Sequence, residues 1–195
     1  MPRISQDELD ERRRLIRDAA ARCFARKGVQ ATTMREIFAE AGLSAGAVYN
    51  YFKTKDDLIE AGIVESTREN VETIVEAART MTFREIIDLF LADLKLAATD
   101  GRAKATPMIH AEVSVKPELL RKFQAGRNDV RQAAREQVAR LRPDLGPDQQ
   151  AALVDFVFAL YQGMVTEAAL EETPNIEGVR EIIDFVLDSF GKGDG

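Results

Sequence analysis

The stretch ATTMREIFAEAGLSAGAVYNYFKTKDDL, residues 31–58, decides the reading of this chain. Thr33 is a residue that caps helices, and Glu36 three positions later completes a capping box, in which each side chain satisfies one free backbone N–H of the first turn. Ile37, Phe38 and Ala41 then give a short helix, residues 34–41, one apolar face. Gly42 supplies the conformational freedom a tight turn needs, Leu43 plugs the turn, and Ser44 is a strong N-cap for a second helix predicted over residues 45–51. Two short helices joined by a three-residue turn containing glycine form the helix-turn-helix pattern.

The second of these helices has the composition of an element that enters a nucleic-acid groove. Ala45, Gly46 and Ala47 are small, so the backbone is able to approach base edges and phosphates closely. Val48 and Phe52, four apart, share a face and are expected to pack inward. Tyr49, Asn50 and Tyr51 are then expected to point outward. Asparagine pairs bidentately with adenine in the major groove, and tyrosine hydroxyls donate to phosphate. Thr54 with Asp57 forms a second capping box, and Lys53 and Lys55 flank it. Free N–H groups, a helix dipole and two lysines make a phosphate clamp.

Taken together, residues 15–63 resemble the N-terminal DNA-binding domain of the tetracycline-repressor (TetR) family of bacterial regulators. The resemblance is carried by Phe24 and Gly28, by Thr33 through Ile37, by Ala41, Gly42, Leu43 and Ser44, and by Val48, Tyr49, Phe52, Lys53, Thr54, Lys55 and Leu58. It covers about a quarter of the chain. Carried over by position, it implies phosphate contacts from Thr33, Tyr49, Lys53 and Lys55. It also implies a groove face made of Ser44, Ala45, Gly46, Ala47, Asn50 and Tyr51, with Asn50 as the base reader. Phe38 departs from the family pattern, which most often has alanine there. A ring at this position is expected either to widen the gap between the two short helices or to fill space beside the small run at 45–47.

Working outward, helical punctuation recurs along the whole chain. Leu9, Ile16, Ala20, Cys23 and Phe24 recur at helical spacing over residues 6–27, with Gly28 as a stop. Beyond Thr54 a long helix is predicted to about residue 80. Further helices are predicted over residues 82–99, 105–115, 117–141, 147–171 and 176–190. Pro117 and Pro147 suit a first helical turn, where the missing N–H costs little. The expected fold is therefore all-α: an N-terminal three-helix helix-turn-helix domain over residues 1–55, and a C-terminal helical bundle over residues 56–195 for ligand binding and dimerisation.

Charge divides the chain in the same way. The net charge is −6, yet residues 1–55 hold 11 Lys/Arg against 7 Asp/Glu, while the remainder holds 16 against 26. Phosphate binding needs local positive charge only, so an acidic body does not forbid it. Arg12, Arg13 and Arg14 read either as a basic arm on DNA or as a solvated face paired with the acids beside them. The single cysteine, Cys23, excludes an internal disulfide and a cysteine-based zinc site, and its place on an apolar face points to a packed thiol. Basic residues near the N-terminus are followed by no apolar core segment, and no run approaches the ~18 apolar residues of a membrane span. A cytoplasmic location with no membrane partner is expected.

The resemblance also sets expectations for the body. Family members are homodimers joined through their last two long helices, which here assigns Phe156, Leu160, Gly163, Met164, Ile182, Val186 and Phe190 to the interface. A pocket for a small-molecule effector is expected between the middle helices, with Phe90, Met108, His110, Phe123, Phe156 and Tyr161 as candidate lining. Most of this apolar material must simply fill the core. No cofactor or metal is expected, since the chain holds one histidine and no ligand spacing. No nucleophile–base pair or glycine-rich phosphate loop suggests an enzyme. The expected function is a ligand-responsive repressor that covers a palindromic double-stranded DNA operator as a dimer. A transcriptional activator and a helical interaction module without sequence-specific DNA binding are the alternatives.

Overall fold

Helix punctuation in the sequence becomes an all-helical chain in the computed structural model, which describes residues 6–100, 102–170 and 174–190. Among the described residues the elements are α1 (Gln6–Ala31), α2 (Met34–Ala41), α3 (Ala45–Tyr49), α4 (Lys55–Thr80), α5 (Phe83–Asp100), α6 (Arg102–Ser114), α7 (Pro117–Leu141), α8 (Pro147–Ala169) and α9 (Ile176–Phe190). Helical hydrogen bonding carries α1 past residue 27, but Gly28 breaks its geometry at φ 79° and ψ 164°. That left-handed φ is open to glycine and strained for other residues, so Gly28 ends the straight run as its type predicts.

The capping chemistry acts as the sequence dictates. The Thr33 hydroxyl accepts from the Glu36 N–H while the Glu36 carboxylate accepts from the Thr33 N–H at 2.8 Å, and Thr54 with Asp57 repeats the arrangement. Gly42 adopts φ 66°, ψ 24° and returns its N–H to the last carbonyls of α2. Farther on, Thr82 and Glu85 cap α5, the Gln149 side chain accepts from the Gly146 N–H at the start of α8, and Asn175 caps α9 through the Gly178 N–H.

Two boundaries differ from expectation. The second short helix ends at Tyr49, so Asn50 and Tyr51 form a turn into α4, with the Tyr51 N–H donating to Val48 O at 2.9 Å. The sixth helix begins at Arg102 and carries Pro107 in its second turn, where the ring removes one backbone donor without ending the helix.

Two apolar cores organise these helices. The first joins Ile16, Ala20, Cys23 and Phe24 of α1 to Ile37 and Phe38 of α2, Val48 of α3, and Leu58, Ile59 and Ile63 of α4. Val113 and Leu119, from α6 and α7, belong to the same cluster, so the N-terminal helices rest directly on the body. The second core joins Ile87, Leu91 and Leu94 of α5 to Val138, Leu153, Val154, Met164, Ile183 and Leu187. Helix α8 is long and apolar enough to cross a membrane by length and composition alone. Leu153, Val154, Met164 and Val165 instead bury one of its faces in the second core.

Candidate DNA-binding head and effector cavity

The head is set by pairs of side chains that lock three helices together. Val48 is fully buried and Phe52 nearly so, which aims the α3 spacing as expected and turns the opposite face outward. On that outward face Ser44, Ala45, Gly46, Tyr49 and Asn50 are exposed and Ala47 is half-buried. The Ser44 hydroxyl accepts from the Ala47 N–H at 3.3 Å, so it caps α3 while lying at its tip. Nothing would meet a Cβ added at Gly46, which leaves the first turn of α3 open to a close approach.

Phe38 fills space. Its ring is buried and packs edge-on against Tyr49, with centroids 5.0 Å apart at 74°. An edge-to-face pair is worth about 0.5–1.5 kcal/mol beyond its area and fixes the orientation of both rings. The departure at Phe38 thus props Tyr49, whose side is 46% exposed, against the helix that precedes it.

Around this face lie α1–α2 ion pairs. Glu40 accepts from Arg22 at 2.7 Å and from Arg26 at 2.6 Å, and Glu36 pairs with Lys27. Lys27, then the Thr33 N–H and hydroxyl, hold the Glu36 carboxyl down at about 2. Arg14 pairs with Glu11 at 2.8 Å and Asp18 at 3.9 Å, so that arginine of the basic run belongs to a paired surface, while Arg12 and Arg13 are exposed. Cys23 is buried, and burial pushes its thiol up, as for a packed side chain.

Two residues of the expected DNA set are placed differently. The Lys55 ammonium donates to the carbonyls of Val29 at 2.7 Å, Thr32 at 2.9 Å and Gln30 at 3.2 Å. It closes the turn after α1 instead of standing free for phosphate, because carbonyls at a helix C-terminus lie beyond the full helical ladder and keep acceptor capacity for a cation. Tyr51, expected on the groove face, is half-buried against the head core, since the helix ends before it and the turn swings it inward. Thr33 and Lys53 are exposed at the starts of α2 and the turn into α4, and Arg35, which the sequence reading passed over, is exposed in the first turn of α2.

A polar joint couples this head to α6. Glu112 is only 6% exposed, and its carboxylate accepts from Gln30 at 2.5 Å and from Lys116 at 2.6 Å. Lys116 also reaches Asp56 at 2.6 Å. Lys116, Gln30 and the nearby Lys55 hold the Glu112 carboxyl below the usual range against the effect of burial.

Between head and body opens a cavity of about 590 Å³, a size ordinary for a small-molecule site. Its walls come from α1, α4, α6, α7 and α8. His110, Phe123 and Tyr161 line it; Phe90, Met108 and Phe156 do not. Phe90 faces a separate small apolar gap, in edge contact with Tyr161, while Met108 and Phe156 are surface-exposed. Period and aromaticity could not separate these, because which face of each helix meets the gap is decided by tertiary packing. Arg17, Arg127, Phe158 and Gln162 also line the cavity. Burial, with a smaller push from Arg127, lowers the His110 pKa, so the ring is neutral near pH 7. Tyr161 donates to Asp93 at 2.9 Å, and burial, then Asp93, raise its phenol.

Helices α8 and α9 each turn apolar side chains away from the second core. On α9 Ile182 is 60% and Phe185 70% exposed with Val186 half-buried, and on α8 Phe156 is 42% exposed, Gly163 is open and Leu160 half-buried. Met164 points the other way, into the protomer's core, and is not available to a partner. The Phe190 side chain lies outside the described residues. Phe185 is the most exposed large apolar side chain of α9, and sequence reading missed it because its neighbours Ile182 and Val186 fit the same period.

Comparison with known proteins agrees with this geometry. Residues 16–61 match the model of the bacterial regulatory proteins, tetR family. The HTH-type transcriptional repressor Rv1474c of Mycobacterium tuberculosis is 29% identical over 97% of this chain and 98% of its own length. The fold is shared with GusR of Salmonella enterica, at 18% identity and a TM-score of 0.73 over 96% of this chain and 100% of that one. It is also shared with FadR of Bacillus subtilis, solved in complex with stearoyl-CoA, at 19% identity and a TM-score of 0.71 over 93% and 99%.

Proposed function

We propose, from the match of residues 16–61 to the tetR family of bacterial regulatory proteins and the likeness to Rv1474c along the whole chain, that the protein is a cytoplasmic repressor of that family, which grips a palindromic DNA operator as a homodimer and lets go when a small molecule fills the cavity. The observation that carries this reading is the outward face of α3, small at Ala45 and Gly46, polar at Ser44, Tyr49 and Asn50, and held rigid by buried Val48 beneath. Asn50 reads a base edge; Thr33, Tyr49, Lys53 and Arg35 hold phosphates. Lys55 serves by closing the α1 turn, and Tyr51 by supporting the face from behind.

One such face makes too few contacts for useful affinity, and a twofold dimer doubles them while matching two half-sites. The exposed Phe156 of α8 and Ile182 and Phe185 of α9 supply the dimer face, since large apolar side chains gain by burial against a partner. The head spans residues 1–55 and the body residues 56–195, with α4 shared between them. Rv1474c is named a repressor, and FadR was solved with an acyl-CoA. By analogy a ligand in the cavity, whose walls include Phe24 of α1 and Ile59 of α4, shifts the heads through those helices and the Glu112 joint. Release follows only if the ligand prefers the non-binding spacing of the heads, since equal affinity for both would shift nothing.

A gel shift against the DNA upstream of the protein's own gene tests the reading. Retarded complexes that weaken steeply with added salt support it. Binding that is absent, or that is the same on scrambled DNA, favours a helical interaction module instead.

A further inference from the structure

Resting on the effector-responsive reading above, we infer that the cavity takes an anionic small molecule with an apolar or aromatic body, its charged group held by Arg127. The cavity is lined by arginines from two sides, but their situations differ. Arg14 pairs with Glu11 and Asp18, and Arg17 with Glu65 at 3.7 Å. Arg127 lines the same cavity, and among the described residues no carboxylate pairs with it. Its guanidinium instead sits 5.6 Å from the centre of the Phe123 ring. Burial, and the neighbouring Arg131, lower its pKa, the sign of a cation short of a counter-charge.

The surroundings specify the rest of the ligand. The Phe123 ring lies tilted at 57° against His110, with centroids 4.9 Å apart, and Phe24 and Phe158 add further aromatic wall. The Gln162 amide lies 3.5 Å from His110 Nδ1. With the ring neutral, that contact has the amide N–H donating to an unprotonated Nδ1, which leaves the Nε2 proton for a ligand oxygen. One unpaired cationic fork, one neutral donor and aromatic walls suit a carboxylate or sulfonate on an apolar frame. A cation beside Arg127 would meet like charge, because the carboxylates that line the cavity, Asp18, Glu65 and Glu69, come from α1 and α4 and not from α7.

A matched pair of probes separates charge from shape: 8-anilinonaphthalene-1-sulfonate and N-phenyl-1-naphthylamine, which differ by the sulfonate. Both are titrated by fluorescence into the full-length protein. Wild type is expected to bind the sulfonate about tenfold or more tightly than the neutral probe, the scale of a charge-assisted hydrogen bond. Arg127→Gln is expected to abolish that preference and leave the neutral probe unchanged. Arg84→Gln, which removes an arginine paired with Asp184 and Asp188 away from the cavity, is expected to leave both unchanged. Equal binding of the two probes by wild type, a comparison that needs no variant, overturns the anion assignment while the cavity survives as a ligand site. A preference retained in Arg127→Gln, or lost equally in Arg84→Gln, overturns the role of Arg127. Failure of both probes to bind overturns the inference together with the effector cavity, while operator binding in the gel shift would still stand.

Discussion

In the head, every turn carries a short-range instruction: Thr33 answered by Glu36, Gly42 at a left-handed φ, Ser44 over Ala47, and Thr54 answered by Asp57. In the body, α5, α8 and α9 also begin on local caps. What those helices face, however, is set by partners about 100 residues away, such as Arg84 with Asp184 and Arg180 with Asp88. The contrast teaches where function resides in each part. The head keeps a rigid, exposed surface whose residues can be assigned roles singly. The body keeps a gap and an uncovered strip whose meaning depends on what fills them.

The sharpest break of that comparison strikes the strip. Replacing both Ile182 and Phe185 by aspartate is expected to give monomers in sedimentation, with operator affinity falling by roughly two orders of magnitude as the second head is lost. Helix content is expected to stay intact, because both side chains are already exposed. A dimer that persists would move the interface elsewhere. In the head, Ile37→Ala empties a fully buried site and is expected to cost about 2–5 kcal/mol in denaturant unfolding. At the seam, Gly126 of α7 crosses α4 so closely that a Cβ there would collide with the Thr67 hydroxyl. Gly126→Ala is expected to cost about 1–3 kcal/mol by overpacking.

Legibility in the sequence followed the range of the interactions. The caps, the inward Val48 and Phe52, the buried Cys23 and the bounds of α2, α7 and α9 all rest on neighbours a few positions apart, and they could be read directly. Lys55 could not, since the carbonyls that claim it lie 23 to 26 positions earlier. Nor could Tyr51, whose inward turn depends on α3 stopping at Tyr49. In the cavity three of six aromatic or sulfur-bearing candidates fell elsewhere, and Arg127 went unnoticed because a helix surface full of arginines gives no sign of which one lacks a partner.

Smaller effects refine the head. Phe38→Ala removes the ring that props Tyr49 and is expected to weaken operator binding several-fold in fluorescence anisotropy, about the value of one aromatic pair. Unchanged affinity would leave Tyr49 positioned by other means. The pH dependence of the α1–α2 joint is the mildest. The Glu36 carboxyl lies at about 2 in the folded chain against an ordinary 4.5. Its contribution is therefore complete above about pH 4.5 and is lost as the pH falls toward 2. Glu36→Gln is expected to flatten the stability profile across that window in circular dichroism, and an unaltered profile would assign the acid sensitivity to other carboxylates.

The central claim, that α3 reads DNA as half of a dimer, is tested most directly by selecting binders from a randomised duplex pool with the wild-type protein and with Asn50→Ala. The account predicts that wild type enriches a palindrome with half-sites about 10 base pairs apart or a multiple of that. It also predicts that Asn50→Ala still binds but enriches a palindrome with altered preference at one position in each half-site. Enrichment of no motif by wild type, or an identical motif from both proteins, would contradict it.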